Sequence, residues 1–243
     1  MLLRLVLPVV AFAPLAFAQS SPLPQREALS YSVEWRLITA GKVRMQWQQA
    51  QAGAQIGLRI ESVGLVSKFF HVEDDYRASL SQSLCAETSQ LTSHEGSRLR
   101  DTRIVYDGAN RKASYLERDL SRNAVLNQHD LEIPPCVHDV VGALYFLRTL
   151  SLEPGQSLTV PVSDGKKSVM ARVEAQQRED IKTPAGVYHA IRYEAYLFND
   201  VLYKRPAHLN FWLSDDRRKL PVQIRVRMQF TIGTITLQLE KIE

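Results

Sequence analysis

The sequence predicts a mainly β protein: a curved antiparallel sheet, a barrel or half-barrel of about a dozen strands, wrapped round one buried central helix at residues 138–150. Three observations carry this. Most of the chain alternates apolar and polar residues with period two, the signature of strands with one dry and one wet face. Turn-forming dipeptides recur between those runs at hairpin spacing. One short segment, HDVVGALYFLRTL, instead carries apolar residues on nearly every side of a 3.6-residue spiral, so it needs surroundings that bury it all round.

Taken in order, residues 1–18 (MLLRLVLPVVAFAPLAFA) combine Arg4, an apolar run and an Ala16-Phe17-Ala18 triplet, the pattern of a cleaved secretory signal. An uncleaved anchor is the alternative, although the run is broken by Pro8 and Pro14 and is shorter than a spanning helix. Residues 19–28 read as a flexible leader and 29–243 as a single β-rich domain. Leu29, Tyr31, Val33, Trp35 and Leu37 form the dry face of a first strand, Val43, Met45 and Trp47 of a second, and Ile56, Leu58 and Ile60 of a third. Connections this short make them an antiparallel meander.

Gly64 to Phe70 breaks the alternation, as a loop or helical turn packed over an edge. Strands follow through Val72 to Leu80, Glu87 to Glu95, Arg98 to Tyr106 and Lys112 to Asp119, with a hairpin turn at Asp107-Gly108-Ala109-Asn110. Leu120 to Leu131 reads as an irregular connection into the helix. There Asp139 caps the first turn, and Arg148 suits the carbonyl end of the helix dipole. Beyond it, a hairpin reverses at Asp164-Gly165, a long strand runs from Val187 to Leu197, and Leu209, Phe211 and Leu213 alternate with His208, Asn210 and Trp212. The last two strands carry Val222 to Phe230 and Ile235 to Leu239. A membrane-spanning barrel is a rival architecture, but it would put its apolar residues outside and leave no dry home for the helix.

The 243 residues carry a formal net charge of +4, with basic residues scattered among acidic ones. No polybasic run marks a nucleic-acid surface. The only cysteines, Cys85 and Cys136, most simply form one disulfide in an exported chain; two separate buried thiols are the alternative. Cys136-x-His138-Asp139 juxtaposes a thiol, an imidazole and a carboxylate, yet neighbours in sequence do not make a working dyad, and a zinc site needs more ligands. Asp74-Asp75 and Asp215-Asp216 are paired carboxylates that solvation and salt bridging account for. His71, His94, His129, His189 and His208 are dispersed, and no nucleophile elbow, phosphate loop or dinucleotide fingerprint occurs. The reading is therefore of a non-enzyme with no catalytic residue, no metal and no cofactor.

Several motifs, Tyr31-x-Val33-x-Trp35 with Gly41, Glu95-Gly96 with Tyr106-Asp107, and Asp139-x-x-x-Ala143-Leu144-Tyr145-Phe146-Leu147-Arg148, carry a resemblance that Thr183-Pro184-Ala185-Gly186 and Trp212-x-x-x-Asp216-x-x-x-Leu220-Pro221 complete. With them the chain resembles the exported bacterial family known as domain of unknown function 3108. The resemblance implies export and a β-rich fold, and transfers no catalytic residue. At the level of architecture, a curved sheet with a helix in its concavity looks like the periplasmic carriers that ferry lipoproteins.

The functional expectation is a periplasmic protein that takes an apolar or acyl-chain ligand into the concavity, with Trp35, Trp47, Tyr145, Phe146 and Phe211 as pocket lining. The aromatics filling the core is the plain alternative for each of them. The rival function is a cell-envelope scaffold or assembly factor that binds another protein through a sheet edge or surface patch. Neither reading involves nucleic acid or a membrane span after signal cleavage.

Overall fold

The computed structural model describes residues 23–228 and 233–243. The expected signal segment and Phe230 lie outside them. Among the described residues, fourteen strands and two helices follow in chain order. They are β1 (Arg26–Trp35), β2 (Ile38–Ala50), β3 (Gly53–Ser62), α1 (Gly64–Phe69), β4 (Val72–Ser81), β5 (Ala86–Glu95), β6 (Arg98–Asp107), β7 (Lys112–Asp119), β8 (Ala124–Glu132), α2 (Val140–Arg148), β9 (Ser157–Ser163), β10 (Ser168–Thr183), β11 (Gly186–Ala195), β12 (Ala207–Ser214), β13 (Pro221–Met228) and β14 (Thr234–Ile242). All the strands belong to one antiparallel sheet ordered β8-β7-β6-β5-β4-β3-β2-β1-β14-β13-β12-β11-β10-β9. The sheet does not close: β8 and β9 are its edges.

Two of the expected boundaries move. The described part of the leader is held, with Leu23 buried, the Pro24 carbonyl accepting from Trp47 Nε1 at 2.9 Å, and β1 starting at Arg26. Residues 124–132, expected as irregular, form β8 in register with β7. Polar side chains on both faces of β8 hide the alternation that marks the other strands.

Strand alternation supplies two packed clusters, and α2 lies between them. Tyr145 joins the first, where Leu29, Tyr31, Met45, Trp47 and Leu80 come from β1, β2 and β4; Ala143 and Leu147 join the second, with Val160, Val173, Tyr193 and Phe211 from β9 to β12. A helix pressed from both sides must be apolar on both sides, which is the physical reason for its sequence. Each large side chain so buried stabilises by roughly 2 kcal/mol.

The helix proper covers 140–148, with Asp139 as N-cap and Thr149 as C-cap. His138, expected inside it, instead bridges β9: its N–H donates to the Pro161 carbonyl and its carbonyl accepts from Ser163 N, each at 2.9 Å. The segment 133–139 thus straps the two halves of the sheet. It also takes Ala86 N on the Val137 carbonyl at 2.8 Å, donates from Ile133 N to the Arg111 carbonyl, and carries the Cys85–Cys136 disulfide.

The two edges overlap like a scroll. The β9–β10 turn tucks against the inner side of β6 to β8, where Tyr106 Oη donates to the Ser163 carbonyl and the His129 ring nitrogen Nε2 meets the Gly165 carbonyl at 3.0 Å. Lys166 from that turn lies 3.3 Å from Glu117. A Cβ at Gly165 would stand 2.6 Å from Ile104 Cδ1, and its φ of +79° suits glycine alone, so this turn requires that residue.

Candidate functional site

Polar groups are buried at both ends of α2, and buried titratable groups are where chemistry or structural specificity concentrates. Asp139 Oδ1 accepts from Val141 N at 3.0 Å, Gly142 N at 2.9 Å and the Tyr76 hydroxyl at 2.6 Å. Burial, reinforced by the neighbouring Asp139 charge, holds the Tyr76 phenol well above its ordinary range, so it stays a hydrogen-bond donor. His138 Nδ1 donates to the Leu84 carbonyl at 2.8 Å, and its ring stacks on Phe146 with centroids 4.4 Å apart. Burial lowers its pKa and keeps the imidazole neutral. With Cys136 in the disulfide, all three members of the Cys136-x-His138-Asp139 motif are occupied in fixing the strap and capping the helix.

At the other end of α2, Arg148 stands in the last turn as expected, and its guanidinium donates to Glu27 Oε2 at 2.7 Å and Oε1 at 3.0 Å, and to the Arg218 carbonyl at 3.2 Å. The two side chains are 0% and 4% exposed. Tyr145 supplies a ring face 5.1 Å from the guanidinium carbon. The pair ties the helix to β1 across 121 positions.

The expected pocket residues do not share one cavity. Trp47 and Tyr145 stack with ring centroids 4.6 Å apart in the first cluster, and Phe211 stacks on Tyr193 at 5.1 Å in the second. Trp35 lies half-buried at the far end of β1, under the Arg36 guanidinium at 5.2 Å. Trp47 and Phe146 alone of the five line a common cleft, about 400 Å³, beside the C-terminal end of α2 together with Leu23, Ala54 and Leu84 and a polar mouth of Gln49, Gln51 and Gln82. A smaller chamber of about 180 Å³ lies at the other end of the helix, between Asp139, Tyr76, Tyr106 and Tyr203. A larger hollow, about 890 Å³, is on the outer face of β1 to β6, lined by Ala28 and Gly57 and by Arg26, Arg44, Arg77 and Arg103 with glutamines between them. α2 fills the concavity, as expected, and the aromatics expected to line a pocket there are divided between its two sides.

The paired carboxylates part company. Asp74 is buried, which raises its carboxyl, and accepts from His94 N at 3.1 Å, while Asp75 meets Arg77 at 3.0 Å. Asp215 meets Arg178, and Asp216 caps its own turn by accepting from Ser214 Oγ, Arg218 N and Lys219 N. Trp212 is a further surprise. It shares the outer face with Gln223, yet is buried, with Nε1 donating to Glu179 Oε1 at 2.8 Å and Arg225 5.0 Å over its ring.

The two edges differ in how they are protected. β9 carries Pro161, which has no N–H, and its free side is bridged by His138. The outer edge of β8 has no partner strand among the described residues, contains no proline, and is exposed at seven of its nine positions. Its side chains include the half-exposed Val125 and Leu126. At one end of the sheet α1 buries none of its side chains, and Leu65, Phe69 and Phe70 stand exposed.

Compared with known proteins, the fold matches solved structures at very low identity. A β-barrel-like protein of domain of unknown function DUF1849 from Brucella abortus aligns with a TM-score of 0.55 at 8% identity, covering 90% of this chain and 97% of that one. A DUF1089 family protein from Pseudomonas aeruginosa gives 0.37 at 12% identity over 88% and 95% of the two chains. A protein with a YmcC-like fold from Bacteroides fragilis gives 0.37 at 8% over 91% and 97%. No curated protein matches. A family model described as protein of unknown function, DUF3108, matches residues 30–240, and the chain belongs to that family.

Proposed function

We propose that this is a non-enzymatic protein of the cell envelope, exported by its N-terminal segment, that works as a scaffold or assembly factor by receiving an extended segment of another protein on the open edge of β8. The observation that carries the reading is the contrast between edges: β9 is blocked by Pro161 and His138, and the nine-residue β8 has no partner strand on its outer side among the described residues, leaving the backbone groups of alternate residues open there. An added strand satisfies such a row, with main-chain hydrogen bonds supplying affinity and alternate side chains supplying selectivity. The filled concavity points the same way, since a packed interior leaves the surface as the place of contact. A photo-crosslinking amino acid placed at Val125 or Leu126 in the exported protein should give adducts with one envelope protein, whereas the same group at the exposed Val187 should not. Equal yields at all three positions would refute the edge as the contact.

A second reading has one observation in its favour, the cleft in which Trp47 and Phe146 meet. Its apolar floor and glutamine mouth suit the end of an acyl chain with a polar head. Native mass spectrometry of protein taken from its own compartment separates the two: a bound lipid favours the cleft, and a bare mass together with β8 adducts favours the scaffold.

A further inference from the structure

Strand register brings together three metal-ligating side chains that the sequence scatters. Glu73 on β4 lies directly opposite His94 on β5. His71 stands two positions before Glu73, and its carbonyl accepts from Gly96 N at 2.7 Å, so the pairing continues past the strand and keeps all three on one face. The rings of His71 and His94 meet edge to face with centroids 4.7 Å apart, and His71 Nε2 is 3.6 Å from Glu73 Oε2. The three ligand atoms lie within 4.8 Å of one another.

We propose that His71, Glu73 and His94 form a binding site for a divalent transition cation of the zinc type, with water completing the coordination. Nitrogen and oxygen ligands at about 2.0–2.1 Å in a tetrahedron sit roughly 3.3–3.5 Å apart, so the His71–Glu73 separation of 3.6 Å is close to that and the set, all within 4.8 Å, has to contract slightly round an ion. Two imidazoles and one carboxylate favour zinc, copper or nickel over calcium or magnesium, which take oxygen ligands. The surroundings hold the ligands in place. Glu73 Oε1 accepts from Arg59 Nη2 at 2.7 Å, which leaves Oε2 turned toward His71, and the backbone N–H of His94 is held by Asp74. The Arg59 charge is itself offset by Glu61. A bound ion would clamp the start of β4 to β5 just beyond Phe70, whose ring already lies against Gly96.

The test is isothermal titration of the intact, disulfide-bonded protein with zinc chloride in a non-coordinating buffer, alongside the histidine resonances of the wild-type chain by NMR. One ion per chain is expected, with the His71 and His94 resonances perturbed. His71→Ala, His94→Gln and Glu73→Gln should each weaken binding by at least the roughly 10–100-fold seen when a supporting partner of a metal ligand is lost. His189→Ala should bind as wild type does. The ligands are on the surface, so all four variants should melt with the metal-free wild type. The proposal is overturned if the wild type takes up no zinc, or if the His71→Ala, His94→Gln double variant binds unchanged, which would place the ion at another exposed pair such as His208 and Glu194.

Discussion

Arg148 and Glu27 offer the sharpest perturbation of the fold. Both side chains are out of solvent, the guanidinium grips both carboxylate oxygens, and the helix has no other ionic tie to β1 among the described residues. Replacing Arg148 by Met keeps the length and apolar stem and leaves the Glu27 carboxylate buried without its partner. Stranding a buried charge costs about 3–5 kcal/mol. For a domain of this size that corresponds to a melting point lower by roughly 6–20 °C, at about 2–4 °C per kcal/mol. Glu27→Gln should cost less, because a neutral amide can still accept one hydrogen bond from Arg148. The double variant Glu27→Leu, Arg148→Met removes both charges and should recover most of the loss, since apolar replacements of buried pairs are often neutral. Urea unfolding of the wild type, Arg148→Met, Glu27→Leu and the double variant, with the disulfide intact, gives the coupling energy as a double-mutant cycle. If Arg148→Met alone costs under about 1 kcal/mol, or the double variant is the sum of the singles, the pair is not isolated from water and the reasoning fails.

Other outcomes follow from the same structure. Removing the disulfide with Cys85→Ala, Cys136→Ala frees a 51-residue separation and should cost about 4 kcal/mol on the chain-entropy estimate, read by urea unfolding. Asp139→Ala deletes the cap that serves Val141 N, Gly142 N and the Tyr76 hydroxyl, and should cost about 2 kcal/mol or more while leaving the other strands folded by circular dichroism. Gly108→Ala puts a Cβ 2.1 Å from the Pro135 carbonyl and should destabilise by about 1–3 kcal/mol, because the strap there is backbone. Burial raises the phenols of Tyr31, Tyr76, Tyr106 and Tyr145, and pushes Tyr193 and Tyr203 up to about 12. Unfolded tyrosine ionises near 10, so the folded state holds the extra protons above that value. Stability is therefore complete below about pH 10 and falls as pH climbs toward 12. Phenolate absorbance should appear together with loss of the β signal; ionisation well before unfolding would refute the burial.

What could be read in the residues and what could not divides along a physical line. Period-two alternation is local, and together with turn signals it revealed β1 to β7 and β9 to β14, most clearly where a dry face recurs at every second position, as in β2, and least in the polar β5. The apolar-all-round segment 138–150 revealed α2, whose caps Asp139 and Thr149 trimmed it by pairing His138 with β9 instead. β8 escaped because an edge strand wet on both sides has no dry face to alternate. The partners of Arg148 and of His71 were invisible for another reason: Glu27 and His94 reach them through strand order and register, which no local pattern encodes. Trp35, Trp47 and Phe211 come from strands and Tyr145 and Phe146 from the helix, and the helix divides the space around it, so apolar character alone did not make a common cavity.

The neighbourhood of β1 and β14 has a consequence for how the molecule is made. Leu29 faces Ile242 and Trp35 faces Ile235, so the first and last of the described strands, made far apart in time, are splinted together in the middle of the ribbon. β1 must wait some two hundred residues with one side unsatisfied, a long closure that slows folding and invites off-pathway pairing in transit. Deleting β1 or β14 would not fray a margin; it would cut the ribbon into two unequal sheets.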